Sequence, residues 1–363
     1  VLEVIEFLRR CATDGLSAAV TAHGGYGAIR TAGAEGPVEI ETTWKVATNT
    51  TRVRQLSLTW KIALVPGNVG VLVASESLHD GKQVRVTTGD DGARQALPET
   101  PERKSVPLMD NRQLAFEILR DPTNFPSLNV LRALCIFCRY LGVLATTASW
   151  ARSATDRSSA RDSVVLAPEP FVGHEGMGLA NALYNLQTNH LEAWQTLERS
   201  FRAEYPFVKR IVFPADAGGG KVGFALEDKR FTGTRIYASQ MSDGMIAFLT
   251  LLVSVLQPDQ RGVLALDEPD VHLHPSALRR FVALCASADL YRRIILVTHS
   301  NALLDALDDP AKVLRIVEPG PDGAHVRTLD PTALTAWRKE YTLSEMRVTG
   351  LLDANNTETE VDA

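Results

Sequence analysis

The chain has 363 residues, 45% hydrophobic and 22% charged, with a formal net charge of −5 at pH 7. That balance excludes intrinsic disorder, collagen-like repeats and a disulfide-stapled mini-protein, and mild acidity speaks against a surface coated in positive charge. Four cysteines, at 11, 135, 138 and 285, form no secretory framework, and no apolar run reaches the length of a membrane span, so a cytoplasmic protein without a membrane partner is expected.

Val1, Val4, Ile5, Leu8 and Ala12 follow i, i+3, i+4, i+7 spacing, which predicts an amphipathic helix that has no cap before it and stops at Asp14-Gly15. Past Gly24-Gly25, alternation over Val38–Val46, Leu56–Leu64 and Val84–Val86, with turn signals at Pro66-Gly67-Asn68 and Asp80-Gly81, predicts an antiparallel meander with one buried face. Gly89–Pro107 reads as a surface loop, Asn111–Leu144 as a helical region, and Thr146–Ser163 as a Ser/Thr/Ala/Arg-rich loop. Leu179, Leu183, Leu186, Trp194, Leu197 and Phe201 predict one long amphipathic helix, followed by strands at Ile211–Phe213 and Val222–Leu226 about a Gly218-Gly219-Gly220 turn. The last third alternates helix and apolar strand: helix Asp243–Leu256, strand Gly262–Leu266, helix Pro275–Ala288, strand Ile294–Thr298, then strand Val313–Val317. Such alternation implies an α/β fold with a parallel sheet covered on both faces.

The chemistry concentrates there. Val263-Leu264-Ala265-Leu266-Asp267-Glu268-Pro269 is an apolar strand ending in two carboxylates, at the sheet edge where α/β folds bind ligands. Asp267 can offer a hard oxygen to Mg²⁺, and Glu268 can take a proton from a water attacking a phosphate; the plain alternative is an acidic turn. Ile294–Ser300 is a second buried strand ending in Thr298-His299-Ser300, and parallel pairing would bring His299 to the same edge. His299 could there contact a phosphate or the attacking water, or merely cap a turn. Ser242-Asp243-Gly244 precedes an apolar helix, where a small loop at a helix N-terminus serves equally as a cap or as a phosphate contact.

Together, Ser242-Asp243-Gly244, Leu266-Asp267-Glu268-Pro269, Leu273-His274-Pro275 and Val297-Thr298-His299-Ser300 resemble the ABC-type ATPases of the RecF, SMC and OLD group. More narrowly, they are similar to the compact stand-alone AAA-family ATPases of bacteria. The resemblance implies a P-loop NTPase head of ABC type: a parallel-sheet core with an antiparallel β part and a helical insert. In it, Ser242, Asp243 and Gly244 form the signature motif, Asp267 and Glu268 the Walker B pair, Asp270–Pro275 the D-loop region, and His299 the switch histidine. It further implies ATP and Mg²⁺ as substrate and cofactor, with Asp267 toward the metal and Glu268 and His299 catalytic. A head-to-tail homodimer would be closed by ATP, with Ser242 and Gly244 acting in trans. DNA repair, genome maintenance or phage defence is the implied setting, with DNA and a separate nuclease or effector as partners. One head would then comprise a first helix and antiparallel part over 1–107, a helical insert over 108–205, the motif-bearing core over 206–318 and a tail over 319–363.

The departure is the phosphate loop. No Gly-x-x-x-x-Gly-Lys-Ser/Thr occurs in the sequence, and Ala217–Val222 lacks the first glycine and the Ser/Thr. An uncapped helix at residue 1 suggests truncation just after the Walker A motif, so this chain alone is expected to be inactive while the full-length protein hydrolyses ATP. Gln113 is a Q-loop candidate by position only. A membrane-transporter ATPase subunit and a non-catalytic relative without a P-loop are the alternatives. Cys135 and Cys138 read as core packing, and His272 and His274 as part of the D-loop region rather than a metal pair. Arg152, Arg157, Arg161, Arg199, Arg202, Lys209 and Arg210 read as solvated charge before nucleic-acid contacts.

Overall fold

Period-2 alternation and period-3.6 alternation divide the chain much as the residues demand. The computed structural model describes residues 2–47, 55–100, 103–147, 159–167, 170–214, 220–257, 262–287, 293–320 and 323–352. These fall into two compact units, Val1–Arg139 and Tyr140–Ala363.

In the first unit, helices α1 (Leu2–Thr13), α2 (Leu16–Ala22) and the short α3 (Tyr26–Ile29) precede six strands. These are β1 (Val38–Ala47), β2 (Gln55–Pro66), β3 (Val71–Asp80), β4 (Gln83–Thr88), β5 (Arg94–Ala96) and β6 (Val106–Pro107). They pair in sequence order as an antiparallel meander, as the alternation predicts. Leu58, Trp60, Ile62 and Leu64 on β2 are fully buried, in one core with Phe7 and Leu8 of α1 and Leu128 and Leu131 of a later helix.

Two expectations are corrected in this unit. The stretch 89–107 is not simply a surface loop, because it supplies β5 and β6 and buries Arg94. The region 111–144 is helical only in part: it holds α4 (Ala115–Ile118) and α5 (Pro126–Ile136) but ends in strand β7 (Arg139–Leu141). Pro122 and Pro126 interrupt it, since each lacks an amide donor, and Phe125 before Pro126 is forced out of the helical region, at φ −131° and ψ 55°.

Arg94 meets Glu76 of β3, both side chains at 0% exposure, with Nη1 donating to Oε2 at 2.7 Å. Trp60 Nε1 donates to Glu76 Oε1 at 3.1 Å, and the Ala115 amide donates to both carboxylate oxygens at 3.2 and 3.0 Å. Arg94 also donates to the carbonyls of Asp110 (2.6 Å) and Gln113 (2.8 Å) and to Asn111 Oδ1 (3.2 Å). Burial pushes the Glu76 carboxyl above its usual range, although the charge of Arg94 and these hydrogen bonds pull the other way.

The second unit takes in β7 residues Tyr140 and Leu141, then β8 (Val164–Val165), α6 (Leu179–Asn189), α7 (Leu191–Glu204), β9 (Val208–Val212), β10 (Lys221–Val222), β11 (Ala225–Asp228) and β12 (Arg235–Tyr237). There follow α8 (Asp243–Leu256), β13 (Val263–Asp267), α9 (Pro275–Ala286), β14 (Arg293–Val297), α10 (Asn301–Leu304), α11 (Pro310–Val313), β15 (Ile316–Gly320), β16 (Gly323–Arg327), α12 (Pro331–Trp337) and α13 (Leu343–Val348). The α/β class is as expected. Strands β13 and β14 pair in parallel, from Val263↔Arg293 to Asp267↔Val297, in a sheet of order β14-β13-β7. Helix α8 is buried from Met245 to Val255, and its two hydroxyls are satisfied inside it, Thr250 on the Ile246 carbonyl and Ser254 on the Thr250 carbonyl, both at 2.8 Å.

The long helix expected over 179–201 is two, α6 and α7, which part at His190 (φ −136°, ψ 66°). No residue between Leu186 and Trp194 is buried, so nothing holds a continuous helix there. The strand expected at 313–317 begins later, at Ile316, because Pro310 starts α11. Strand β9 pairs with β11 and β10 with β8, while Gly218 and Gly219 lie outside the described residues. The buried strand expected at 294–298 is corrected: among the described residues β14 is an edge strand with no buried residue, and Ile295 and Val297 are exposed, so the sheet is not covered on both faces there. Among the described residues no helix is long and apolar enough to cross a membrane.

The Glu76–Arg94 pair yields a stability prediction. Arg94→Met strands a buried carboxylate and three acceptors, and should lower the unfolding free energy by about 3–5 kcal/mol. Glu76→Gln, which still offers an oxygen to the Ala115 amide, should cost less. Equilibrium urea unfolding measures both, and losses below about 1 kcal/mol for each would show that the pair does not hold the sheet.

Candidate functional site

The parallel register of β13 and β14 decides where the chemistry lies, because it ends both strands at one edge. Asp267 closes β13 and accepts a hydrogen bond on Oδ2 from the Tyr140 hydroxyl at 3.1 Å. The Tyr140 ring in turn packs edge-on against His174, with centroids 4.6 Å apart. Glu268 then leaves the strand with φ 45°, a left-handed conformation that a glutamate rarely adopts. Its amide donates to the Val297 carbonyl at 2.9 Å, and its carboxylate turns toward the loop after β14. There the His299 amide donates to Oε2 at 3.3 Å, and His299 Nε2 lies 3.8 Å from Oε1. The imidazole is 83% exposed and the glutamate side chain 27%, so both reach solvent. Asp267, Glu268, Gly142 and His272 line a small cleft with Leu141 and Pro269.

The loop after Glu268 is tied to the histidine loop. Thr298 Oγ1 donates to Asp270 Oδ1 at 2.5 Å and accepts from the Ser300 amide at 2.9 Å. His272, like Glu268, has a positive φ, at 71°. His274 caps α9, its Nδ1 accepting from the Ser276 amide at 3.3 Å. Among the described residues, no group of three or more His, Cys, Asp or Glu side chains could by itself hold a metal ion.

Ser242 caps α8, accepting from the Met245 amide at 3.3 Å, and with Asp243 it is exposed. A Cβ on Gly244 would sit 2.7 Å from the His272 carbonyl oxygen, so the start of α8 and the loop after β13 lie back to back. Ser242, Asp243 and Gly244 do not line the cleft at Asp267 and Glu268.

Arg161 explains how that loop is held, a role with no signal in the local sequence. Its guanidinium is 5% exposed and donates to the carbonyls of Ala238 and Met241 at 2.6 Å each, to Asp243 Oδ1 at 2.6 Å, and to the Thr146 carbonyl. Burial alone would raise the Asp243 carboxyl, but hydrogen bonds from Arg161 and Thr146 and the nearby positive charge hold it below its usual range. Arg161 is therefore neither a solvated charge nor a nucleic-acid contact. Arg152 and Arg157 lie outside the described residues. Arg210 forks onto Glu227 at 2.9 and 2.8 Å, Lys209 stands 3.6 Å from the same carboxylate, Arg202 donates to the Glu198 and Lys209 carbonyls, and Arg199 is exposed. Cys135 and Cys138 are buried at the end of α5. Gln113 is exposed, its carbonyl held by Arg94.

Residues 152–305 match the family described as "AAA domain, putative AbiEii toxin, Type IV TA system". That span contains Arg161, Ser242–Gly244, Asp267, Glu268 and His299. No curated protein matches the chain. Among solved structures the chain is similar to the SMC head domain from Thermotoga maritima, at 10% identity over 75% of this chain and 74% of that one, with a TM-score of 0.30. It is similar to an Smc head bound to the C-winged helix domain of ScpA, at 13% identity over 90% and 86%, TM-score 0.38. The Smc head of Pyrococcus furiosus with an extended coiled coil, bound to the C-terminal domain of ScpA, aligns at 10% identity over 93% and 89%, TM-score 0.38.

Two substitutions test the local geometry. Gly244→Ala should cost about 1–3 kcal/mol, since its methyl meets a carbonyl and not a yielding side chain; thermal unfolding of the variant at the wild-type midpoint would show the close approach to be dispensable. Glu268→Asn replaces a strained residue with one that tolerates left-handed backbone, and should leave stability unchanged or raise it by about 1 kcal/mol. A marked loss on unfolding would mean that the carboxylate serves the fold.

Proposed function

We propose that the chain is the ATP-hydrolysing head of an ABC-type ATPase of the RecF, SMC and OLD-like group. The observation that carries this reading is the in-register parallel pair β13/β14, which sets Asp267, Glu268 and His299 at one edge, Glu268 in a strained backbone and within 3.8 Å of the imidazole. Strain of this kind is tolerated where surrounding structure over-determines it, commonly at functional sites.

In this reading Glu268 accepts the proton of the water that attacks the γ-phosphate, and the exposed His299 ring orients that water or contacts the phosphate. Asp267 suits a hard cation: it presents carboxylate oxygen at the end of a strand, with Oδ2 already oriented by Tyr140. Mg²⁺, when bound, neutralises charge developing on the phosphate oxygens. Ser242 and Gly244, at an exposed helix start away from the cleft, would meet ATP held by a second copy in a head-to-tail homodimer. The signature loop keeps its shape through Arg161. The cellular setting, with DNA or a separate effector as partner, is proposed on the motif resemblance alone.

The deciding experiment uses protein expressed from the complete gene. Glu268→Gln should lower the hydrolysis rate by about 10²–10⁴-fold while ATP is still bound, with a dimer accumulating on size-exclusion chromatography in ATP. Hydrolysis by the variant at the wild-type rate removes Glu268 as the base. A wild-type protein that binds but never hydrolyses ATP supports the non-catalytic reading.

A further inference from the structure

The imidazole of His299 is largely in solvent, so its direction is set by its main chain rather than by packing around the ring. That main chain is gripped from two sides. Its amide donates to Glu268 Oε2 at 3.3 Å, and its carbonyl accepts from Arg347 Nη1 at 2.6 Å. Arg347 also reaches Asn301 Oδ1 at 3.4 Å, so one guanidinium spans the loop between β14 and α10. We propose that Arg347 is a positioning residue for the Glu268–His299 pair, acting through the His299 backbone. The proposal rests on the ATPase reading, and makes the segment after β16 part of the site.

Helix α13 is built to present this side chain. Thr342 caps it and forms a reciprocal capping box with Glu345, while Leu343 and Met346 are buried in a small core with Leu304, Leu329, Leu334 and Leu352. Ser344 fixes the helix against the end of α10, its amide and hydroxyl donating to Asp305 at 3.0 and 2.7 Å. Arg347 itself is exposed and leaves no cavity when shortened. A guanidinium donating to a carbonyl makes a charge-assisted bond, stronger than the neutral bonds elsewhere in this loop. Without it, the His299 residue keeps only its amide bond to Glu268, and the ring is free to swing with the peptide plane.

Three variants of the complete gene product test this. Arg347→Ala should lower kcat for ATP about ten- to a hundredfold with KM for ATP within about twofold, because binding is untouched and only the geometry of the pair is lost. Arg347→Lys, which can still donate to the carbonyl, should recover part of that loss. Arg338→Ala removes another tie of the same segment, an exposed arginine that donates to the Asp308 carbonyl at 2.9 Å, and should leave kcat unchanged. Amide hydrogen exchange over Thr298–Asn301, read without nucleotide, should quicken in Arg347→Ala and not in Arg338→Ala. Unchanged exchange in that segment overturns the proposal whether or not the protein hydrolyses ATP. In an active wild type, an unchanged kcat in Arg347→Ala, or an equal loss in Arg338→Ala, overturns it as well. A wild type without ATPase activity sinks the ATPase reading instead, and the exchange measurement then decides the role of Arg347 by itself.

Discussion

The parallel register of two short apolar strands is the constraint on which the site depends. Because Asp267 stands opposite Val297, the residue after each strand falls on the same edge, and the Glu268 amide extends the ladder onto the Val297 carbonyl. A slip of one residue would reverse the faces of β14 and carry His299 away from the carboxylate. The hydrophobic pattern forbids that slip only weakly, since Ile294, Ile295, Leu296 and Val297 are all apolar. Polar ties outside the sheet complete the specification: Thr298 to Asp270, the His299 amide to Glu268, and Arg347 to the His299 carbonyl.

A second consequence follows from the close approach of Gly244 to the His272 carbonyl. The start of α8 and the loop after β13 share one boundary, so a displacement of either is felt by the other. Helix α8, buried along its length, cannot yield sideways. Movement at its N-terminus would therefore have to pass through the loop that Arg161 ties down, or through the left-handed residues Glu268 and His272. This is a physical route by which a displacement at the exposed Ser242–Gly244 loop could reach Glu268, without Ser242 lining the cleft.

The sequence made the site itself more legible than its supports. Apolar runs that end in Asp267-Glu268 and Thr298-His299 announce strands with polar tips, although only the first is buried, and the alternation over 38–64 announces the meander, because burial of one face imposes the period. Helix α8 and its cap at Ser242 were equally plain. What stayed hidden was long-range and polar. Arg94 sits in a stretch whose composition looks like a loop, yet Glu76, the Asn111 side chain and two backbone carbonyls bury it; Arg161 sits in another, and Tyr140 at the end of an apolar run that reads as helix. Side chains such as these depend on partners 18, 82 and 127 residues away, and no local periodicity reports such partners. The breaks at Phe125 and His190 differ from each other in the same respect: the prolines of the first are visible in the sequence, whereas the second reflects a lapse in burial that only the packing reveals.

Glu76 and Glu268 each meet a nitrogenous side chain, and their exposure separates what each can do. Glu76 and Arg94 are sealed from water, so a proton has no path to the pair, and its hydrogen bonds serve only to fix β3 against β5 and the start of α4. Glu268 and His299 stand farther apart, at 3.8 Å, and both reach solvent. A contact so open contributes little to stability. In the proposed ATPase reading, the same openness leaves both groups accessible to the attacking water. The strained backbone at Glu268 aims its carboxylate at the loop after β14, where it holds the His299 amide and still reaches solvent.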